Sequence, residues 1–464
     1  MLFVCAGVVA CSGSHEATIT DHDSGAAGSG GNAGSGAAGG AAGTDGGAGA
    51  AGTGAAAGSG GSAGGSGMGT QGISQSSLSA VETETNLAIA DNGYVVTTWI
   101  GIQPTQRSHS GYAFSKDDGK SWMTPQKLEA PGGRTSSDPV VAAAPDSSFY
   151  LAWIAFQRDA QGKPYDMRVY VSKAAAGDTS FAAPQDIASA ITSDAIDKPW
   201  VTVAPDGTVY VTWLDTGNQS KNLSPRMRVA VSEDQGQSWN IYPIDTGQGG
   251  FRNLIYPCVD DVTGRVYVTY HPGGGIGLRW SDDKGQTWPG ATAVASQSDP
   301  KSMFDDPTCA AHNGEVWVAY GVGTDPFTET DNARSDRIRV AYSSDAGQSI
   351  ADRYFAEDAT AGTKFLHAQM ARETSGALDV LYYAGSDQNP DSAGSVRISQ
   401  STDKGMTWSS SLVVKSPITF LSTRGDQRWL GDYIGLAVHA GKAYGSFADN
   451  TSGTSHVDFF AHTF

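Results

Sequence analysis

The sequence predicts an all-β fold assembled from repeats, on the basis of three observations. A strand–turn–strand segment recurs seven times between residues 84 and 464. A turn of eight residues with a fixed pattern follows most of these segments, at intervals of 49 to 62 residues. No run of residues approaches the roughly 18 apolar positions that a membrane-spanning helix needs. Repeats of this length, each with about four short strands, are typical of a β-propeller.

The recurring segment has the composition of a β-hairpin. It consists of an apolar strand, a tight turn that usually contains glycine, and a second strand that ends on an aromatic residue. β-Branched and aromatic residues are enriched in both strands, and Asp206-Gly207 is typical of a hairpin turn. The seven copies span residues 85–99, 138–153, 197–213, 256–270, 306–320, 367–383 and 432–447.

The second turn of the repeat follows the pattern Ser-x-Asp-x-Gly-x-Ser/Thr-Trp. Four copies are complete, a fifth at Ser343 lacks the tryptophan, and a sixth around residues 172–181 is eroded. The pattern needs no ligand, because the aspartate can accept backbone N–H groups, the glycine supplies a positive φ and the tryptophan packs on the blade. We expect a structural role for Asp117, Gly119, Trp122, Asp234, Gly236, Trp239, Asp283, Gly285, Trp288, Asp345, Gly347, Asp403, Gly405 and Trp408.

This eight-residue pattern resembles the Asp-box, or BNR repeat, of the sialidase-type β-propellers. The resemblance covers residues 84–464 and implies a propeller of the sialidase superfamily. Sialidases hold the substrate carboxylate with three arginines, the first in an Arg-Ile-Pro motif, and use a tyrosine nucleophile with an aspartate as acid/base. The chain has no Arg-Ile-Pro motif. The resemblance therefore transfers the turn residues and none of the catalytic ones.

The spacing of the turns predicts the number of blades. One further period after Ser401 falls near residue 458, where residues 456–461 would be the third strand of a seventh blade. The segment 73–80 can supply the missing fourth strand, which closes the ring and removes an exposed sheet edge. We predict seven four-stranded blades, whereas sialidases have six. A ring of six blades with one irregular hairpin is the alternative.

The N-terminus predicts export. The first eleven residues are nearly all apolar, and the run around Cys11 resembles the lipobox of a bacterial lipoprotein signal, which implies lipidation of Cys11. Residues 24–72 hold 22 of the 60 glycines and have the composition of a flexible tether. We predict a signal segment at 1–11, a disordered Gly/Ala/Ser-rich linker at 12–72 and the propeller domain at 73–464. The protein would be exported and lipid-anchored to the bacterial outer membrane or cell surface, or secreted.

Composition limits the partners. The formal net charge is −18, and the chain has no cluster of Lys and Arg, which argues against nucleic acid. No His/Cys spacing fits zinc and no loop has a regular calcium pattern, so we expect neither a metal nor a cofactor. Cys258 and Cys309 lie early in consecutive repeats, and they either form a disulfide after export or remain buried thiols. We expect a monomer.

Residues just before the seven hairpins should converge near the central axis on one face of the ring, which we call the axial mouth. Alignment of the repeats at their prolines defines two sets of candidates there. The candidate catalytic residues are Asp138, Asp306, Asp432 and Tyr433. The candidate substrate-binding residues are Arg134, Asp197, Lys198, Arg252, Tyr256, His367 and Arg428. Carboxylates and tyrosine are the groups with which a glycosidase protonates a glycosidic oxygen and stabilises an oxocarbenium ion.

An architectural role is the alternative for these carboxylates. Because an aspartate recurs at one position of the repeat, Asp138, Asp197 and Asp306 would fasten neighbouring blades by accepting backbone N–H groups. The segment 429–435 occurs once and has a glycine on each side of its Asp–Tyr pair. It predicts either site chemistry or tight packing where the ring closes.

Two functions follow from the sequence. The first is a surface-anchored, sialidase-like glycoside hydrolase for extracellular glycans, with a deep pocket and two carboxylates about 5 to 10 Å apart. The second is a noncatalytic propeller lipoprotein that binds glycan or protein through variable loops such as 321–336. The second function predicts a shallow face on which the arginines and carboxylates pair with one another.

Overall fold

The computed structural model describes residues 68–74, 81–102, 108–189, 196–215, 226–245, 253–272, 275–295, 307–323, 335–355, 362–386, 393–420 and 426–464. These residues form 28 β-strands and one short 3-10 helix, Pro131–Gly133. The all-β prediction is therefore confirmed. None of the described residues belongs to a helix long and apolar enough to cross a membrane.

The strands follow one another along the chain with short connections. In order they are β1 (Gln71–Gly72), β2 (Val81–Ile89), β3 (Val95–Ile102), β4 (Ser108–Ser115), β5 (Gln126–Lys127), β6 (Thr135–Ala143), β7 (Phe149–Arg158), β8 (Pro164–Ala174), β9 (Gln185–Asp186), β10 (Ile196–Val203), β11 (Val209–Asp215), β12 (Arg226–Ser232), β13 (Asn240–Pro243) and β14 (Asn253–Val259). They continue as β15 (Val266–His271), β16 (Ile276–Ser281), β17 (Gly290–Ala295), β18 (Thr308–His312), β19 (Glu315–Val322), β20 (Arg337–Ser343), β21 (Ala351–Tyr354), β22 (Thr363–Arg372), β23 (Leu378–Ser386), β24 (Ala393–Ser401), β25 (Leu412–Thr419), β26 (Gly435–His439), β27 (Lys442–Asp449) and β28 (His456–His462).

In the described residues the strands form seven antiparallel sheets of four strands, as predicted. Blades 1 to 6 each take four consecutive strands, from β2–β5 to β22–β25, and blade 7 combines β26, β27 and β28 with β1. The first strand of each blade contacts the first strand of the next, and β2 contacts β26. The sheets are therefore blades of a closed ring, and the six-bladed alternative is wrong.

The ring closes through the N-terminal strand, but two residues earlier than predicted. Gln71 and Gly72 pair with Phe459 and Asp458 of β28, and the Ile73 N–H continues this ladder to the Val457 carbonyl at 2.7 Å. The predicted closing segment was 73–80, of which residues 75–80 lie outside the described part. Pairing with β1 removes the free edge that β28 would otherwise expose.

Each eight-residue turn is held by the same hydrogen bonds. In the first turn the Ser115 hydroxyl donates to Asp117 at 2.8 Å and accepts from the Gly119 N–H at 3.0 Å. The Ser121 N–H and hydroxyl both donate to the Asp117 carboxylate, at 2.8 and 2.5 Å. The turns around Asp234, Asp283, Asp345 and Asp403 repeat this network. These bonds account for the aspartates without a ligand.

The hydrogen bonds also act on the charge of the turn aspartates. The hydroxyl and N–H of Ser238 lower the pKa of Asp234 to about 2, and those of Ser349 do the same for Asp345. Because a carboxylate that accepts several donors is stabilised in its charged form, these aspartates stay ionised over the physiological pH range.

The turns also fasten each blade to the preceding one. A Cβ atom on Gly119 of blade 1 would lie 2.3 Å from Cζ of Phe459 in blade 7. One on Gly236 of blade 3 would lie 3.2 Å from the Tyr150 ring of blade 2. The Trp122 ring packs edge-on against Phe459 at 4.9 Å. The glycines are therefore needed both for their positive φ and for this close approach.

The eroded turn of blade 2 begins later than the sequence predicted. Phe149, the first residue of its second strand, pairs with Ala174. The equivalent pair in blade 3 is Val209 with Ser232, the first residue of that turn. Ala174 therefore occupies the serine position that we placed at Ser172. The turn of blade 2 therefore lacks the serine hydroxyl that begins the pattern in the other turns.

The two cysteines of the domain form a disulfide. It joins Cys258 in β14 to Cys309 in β18, with Cα atoms 5.8 Å apart. These are the first strands of blades 4 and 5, so the bond links two neighbouring blades close to the axis. The alternative of two buried thiols is therefore wrong.

We predict that Gly119→Ala destabilises the domain more than Gly93→Ala. Both glycines have φ near +80°, so both substitutions carry a backbone cost of about 1 kcal/mol. At Gly93 no atom lies within 4 Å of the added Cβ, whereas at Gly119 the Phe459 ring must move, which costs about 1 to 3 kcal/mol more. Urea unfolding of the two variants measures the difference, and equal midpoints would show that the turn does not wedge against blade 7.

Candidate functional site

The axial mouth is built from bulges in the first strands of the blades. The pairing register shifts between Thr83 and Asn86, Ser137 and Val140, Asp197 and Trp200, Asn253 and Tyr256, and Leu366 and Gln369. Four of these bulges hold a residue with φ between 49° and 59°, namely Glu84, Asp138, Lys198 and His367. Left-handed backbone is strained for such residues and is often found at functional positions. All four side chains are buried.

Threonine side chains join neighbouring blades at the bulges. The Thr98 hydroxyl of blade 1 donates to the Pro139 carbonyl of blade 2 at 3.0 Å. Thr212, Thr269 and Thr308 donate in the same way to bulge carbonyls at Ile255, Pro307 and Ala368. Threonines thus contribute to the fastening of neighbouring blades that the sequence analysis assigned to aspartates, one of which, Asp306, lies outside the described residues.

The described bonds of the two mouth aspartates stay within their own strands. Asp138 accepts from the Ser137 hydroxyl at 2.6 Å, and Asp197 accepts from the Lys198 N–H at 3.0 Å. Asp138 therefore remains a candidate for site chemistry.

An ion pair crosses the centre of the ring. The Lys198 ammonium of blade 3 lies 2.7 Å from Asp432 Oδ2, in the segment that leads into blade 7, and 3.8 Å from Glu84 Oε1 of blade 1. Blade 3 lies between blades 2 and 4 in the ring, so the lysine reaches across the axis to blades 7 and 1. All three side chains have no exposed surface. We call Glu84, Lys198 and Asp432 the axial cluster.

His367 lies beside the axial cluster and is neutral at physiological pH. Complete burial lowers the pKa of His367 to about 4, although the Asp432 carboxylate and the Gly431 carbonyl act in the opposite direction. A charged imidazole would lose its hydration there, and the nearby Lys198 ammonium adds to the penalty. The candidate histidine thus resists protonation.

Aromatic rings fill the channel next to the axial cluster. Trp200 of blade 3 packs against Tyr256 of blade 4 at 4.7 Å and against Tyr433 at 5.4 Å. The Tyr433 ring also faces the Lys198 ammonium at 5.3 Å. Gln369 of blade 6 donates to the Tyr256 hydroxyl at 2.8 Å, again across the ring. Tyr433 is 3% exposed, so it is not open to a substrate in the way that a nucleophile must be.

Tyr256 lies two residues further along its strand than the position that the sequence predicted. Alignment at the prolines made Pro257 equivalent to Pro139, but Pro257 pairs regularly with Val268 and lies beyond the bulge. The register makes Tyr256 equivalent to Trp200, in the aromatic layer. A proline is a poor marker of register here, because it can occupy either position of the strand.

The described candidate arginines do not converge on the axial cluster. Arg134 binds the Asp166 carboxylate and the Pro131 carbonyl, and Arg168 binds the same Asp166 at 2.6 Å. Arg428 pairs with Asp426, with Nε 3.2 Å from Oδ1. Both of these candidates are thus engaged with carboxylates nearby. Asp306, Arg252 and Cys11 lie outside the described residues.

The glycines around Asp432 and Tyr433 let the ring close. A Cβ on Gly431 would lie 2.4 Å from Thr83 Oγ1 and 2.6 Å from the Glu84 nitrogen. One on Gly435 would lie 2.8 Å from the Leu87 nitrogen. The segment 429–435 therefore serves tight packing against blade 1. The same close approach places Asp432 within the axial cluster.

Glu84 is a member of the site that the sequence analysis missed. Its hairpin was taken to begin at Thr85, one residue too late. Its position in the repeat could have identified it. In each first strand, regular pairing resumes two residues after the left-handed residue, at Asn86 after Glu84, at Val140 after Asp138 and at Trp200 after Lys198.

One group of side chains outside the axis has the composition of a metal site. The ligand atoms of Asp449, His456 and Asp458 lie within 4.8 Å of one another. The Lys415 ammonium, however, is 2.8 Å from Asp449 and 3.1 Å from Asp458, and it supplies the positive charge that these carboxylates need. The group therefore does not fit a metal ion.

Comparisons with known proteins identify the fold. No protein-family model matches the chain, and no curated protein is similar to it in sequence. Among solved structures, the Hadza microbial sialidase Hz136 is similar, with 13% identity, a TM-score of 0.51, and coverage of 85% of this chain and 68% of that one. A protein of unknown function from Dyadobacter fermentans (15% identity, TM-score 0.49, 82% and 94% coverage) and Trypanosoma rangeli sialidase (12%, 0.47, 82% and 54%) also match. The chain thus has the fold of the sialidase-type β-propellers.

We predict that Asp432→Asn strongly destabilises the domain. The substitution leaves the Lys198 ammonium buried with a weakened counter-charge, a change that costs about 3 to 5 kcal/mol. Asp426→Asn is the matched control, because its pair with Arg428 is one third exposed and contributes less than about 1 kcal/mol. Urea unfolding compares the two variants. Similar losses in both would contradict a buried axial ion pair.

Acid should destabilise the domain through His367. The folded pKa of about 4 lies below the value of about 6.5 in an unfolded chain, so the unfolded state takes up the proton first and stability falls as the pH drops from 6.5 to 4. The loss from this residue is about 3 kcal/mol at most. His367→Gln should flatten the curve of unfolding free energy against pH in this range. His462→Gln, at a partly exposed histidine whose pKa burial also lowers, should flatten the curve less.

Proposed function

We propose that the protein is an exported, surface-anchored propeller that binds extracellular glycans at the axial mouth without cleaving them as a sialidase does. The observation that carries this proposal is the pairing of the described charged groups. Lys198 is held by Asp432 and Glu84, Arg134 by Asp166, and Arg428 by Asp426. This is the arrangement expected of the noncatalytic function.

Burial supports the same conclusion. A retaining glycosidase needs a nucleophile that reaches the anomeric carbon and an acid that reaches the leaving oxygen. Here Tyr433 packs beneath Lys198 and Trp200, and Asp432 has no exposed surface. Both groups contribute to the core of the ring. The surface available to a ligand is therefore formed above them, by the loops that surround the axial mouth.

A carbohydrate ligand is supported by the fold. The structural neighbour Hz136 is a sialidase, so the same fold serves a protein that acts on sialylated carbohydrate. Because a fold hosts many functions, the likeness supports the ligand class and not a particular sugar. The variable loop 321–336 remains the proposed contact region, and residues 324–334 of it lie outside the described part.

Export is supported by the disulfide. The bond between Cys258 and Cys309 requires an oxidising compartment, such as the periplasm or the cell exterior. This agrees with the lipoprotein-like sequence that ends at Cys11. We therefore propose attachment of Cys11 to the outer membrane or cell surface, with residues 12–67 as a tether, because Gln71 and Gly72 belong to blade 7.

A glycoside hydrolase is the second candidate, on one specific observation. Glu84 and Asp432 lie 3.8 and 2.7 Å from the same Lys198 ammonium, so their carboxylates are close enough for an acid/base pair, and Asp138 occupies a neighbouring bulge. Such an enzyme would have to open the axial cluster to its substrate. Asp138 is 1% exposed, so its carboxyl group would also have to be uncovered before it could act as the acid.

Binding and turnover can be measured on the same protein. We expect saturable binding to members of a glycan array and no release of fluorophore from an aryl sialoside or from neutral aryl glycosides at high protein concentration. Asp138→Asn should leave both results unchanged. Release by the wild-type protein that falls about 100-fold in Asp138→Asn would establish the hydrolase instead. Absence of binding to every glycan would refute the carbohydrate proposal.

A further inference from the structure

A buried pair of carboxyl groups lies far from the axial mouth, on the face of the ring that carries the eight-residue turns. Glu373 begins the turn between β22 and β23, and Asp379 is the second residue of β23. One amide serves both groups, since Gln400 Nε2 donates to Asp379 Oδ1 at 3.1 Å and to Glu373 Oε1 at 3.5 Å. Asp379 has no exposed surface and Glu373 is 7% exposed. No role in the fold or in glycan binding accounts for this pair.

Asp379 replaces an aromatic residue of the repeat. The equivalent residues of blades 2, 4, 5 and 7 are Tyr150, Tyr267, Trp317 and Tyr444. Each of them contacts the eight-residue turn of the next blade, at Gly236, Gly347, Lys404 and Asp118 respectively. Blade 6 precedes blade 7, whose fourth strand is β1 from the other end of the chain. No turn joins the third and fourth strands of blade 7, so Asp379 stands where this contact is missing.

The carboxyl pair belongs to the junction between blades 6 and 7. On the same face of β23, Leu381 Cδ2 lies 3.0 Å from a Cβ placed on Gly445 of β27. Further along this face, the Tyr383 hydroxyl accepts from the Ala448 N–H at 2.9 Å. Because side chains alternate along a strand, Asp379 shares this face with Leu381 and Tyr383. It therefore lies at the edge of the interface with the blade that closes the ring.

Two carboxylates that share one donor inside a protein cannot both remain charged at low cost. A proton between them converts the repulsion into a hydrogen bond. We propose that Glu373 and Asp379 hold one proton between them, and that this proton stabilises the junction of blades 6 and 7 until it is lost as the pH rises through neutrality. Through this pair, the junction of blades 6 and 7 is more stable in acidic than in neutral surroundings.

The surrounding charges support a shared proton. Burial raises the pKa of Asp379 to about 7, the charge of Glu373 adds to the rise, and the Gln400 amide opposes it. The basic groups nearest in sequence or in the facing strands are engaged elsewhere. Arg372 lies over the Trp317 ring, Lys442 binds Asp118 at 2.8 Å, and burial lowers the pKa of His462. Among the described residues, no cation acts on the Asp379 carboxyl group.

The direction of the pH effect follows from the two pKa values. An aspartate in an unfolded chain titrates near pH 4, whereas Asp379 in the fold titrates near pH 7. The stabilisation is therefore complete below about pH 4 and is lost as the pH rises towards 7. Asp379→Asn removes this dependence, because an asparagine cannot ionise. Its amide can donate to Glu373 in place of the shared proton.

The test is the melting temperature of the full chain between pH 5 and pH 8. Between pH 5 and pH 8, we expect the melting temperature of the wild-type protein to fall about 5 °C more than that of Asp379→Asn. Glu373→Gln should show a weaker pH dependence than the wild type without losing it, because the repulsion is removed while the burial of Asp379 remains. Asp403→Asn, at a half-buried carboxylate of the same blade that stays ionised between pH 5 and pH 8, should run parallel to the wild type. Parallel curves for wild type and both pair variants would overturn the proposal.

Melting curves measured with added calcium distinguish a shared proton from a bound metal ion. If calcium restores the melting temperature of the wild type at pH 8 but not that of Asp379→Asn, the pair is a cation site and the proposal is wrong. Should both pair variants fail to fold, infrared spectra of the wild type decide the question. A protonated carboxyl absorption at pH 6 that disappears near pH 7 supports the shared proton, and its absence at pH 6 refutes it.

Discussion

The ring depends on the ion pair that Lys198 forms across its axis. Seven first strands meet around a channel, and side chains from non-adjacent blades must fill it. Removing an ammonium and two carboxylates from water is costly, and the cost is offset only because Asp432 and Glu84 lie within ion-pair distance of the same nitrogen. The aromatic layer of Trp200, Tyr256 and Tyr433 completes the plug. The centre of the molecule is therefore a core and not an open pore.

Because these side chains fill the channel, a ligand would have to bind outside it. In the described part of the mouth, the Asp432 carboxylate is paired with the Lys198 ammonium, and the Tyr433 ring packs against the same ammonium. A ligand would contact the loops above them, and those loops differ most between repeats. Binding through variable loops on a rigid ring is a common division of labour in repeat folds, because the scaffold keeps the loops in place while their sequences vary.

The departures from the repeat are as informative as the repeat itself. Blade 7 takes its fourth strand from the N-terminus, so it has no eight-residue turn, and the aromatic residue that would meet such a turn is an aspartate in blade 6. In blade 6, an ionisable group thus occupies a regular position of the repeat where the usual contact is absent. The disulfide between blades 4 and 5 is a second local fastening.

The sequence by itself determined the blade count, the hairpins and the turns, because each rests on contacts between residues close along the chain. It also placed Asp138, Lys198, His367 and Asp432 at the axial mouth, since a repeat position predicts a place in a ring. Only the tertiary structure decided what these residues contact. Each bulge shifts the pairing register, and the prolines do not show where the shift occurs. For this reason Tyr256 was misplaced and Glu84 was missed. The partner of Lys198 lies 234 residues away across the axis, where no local pattern constrains it.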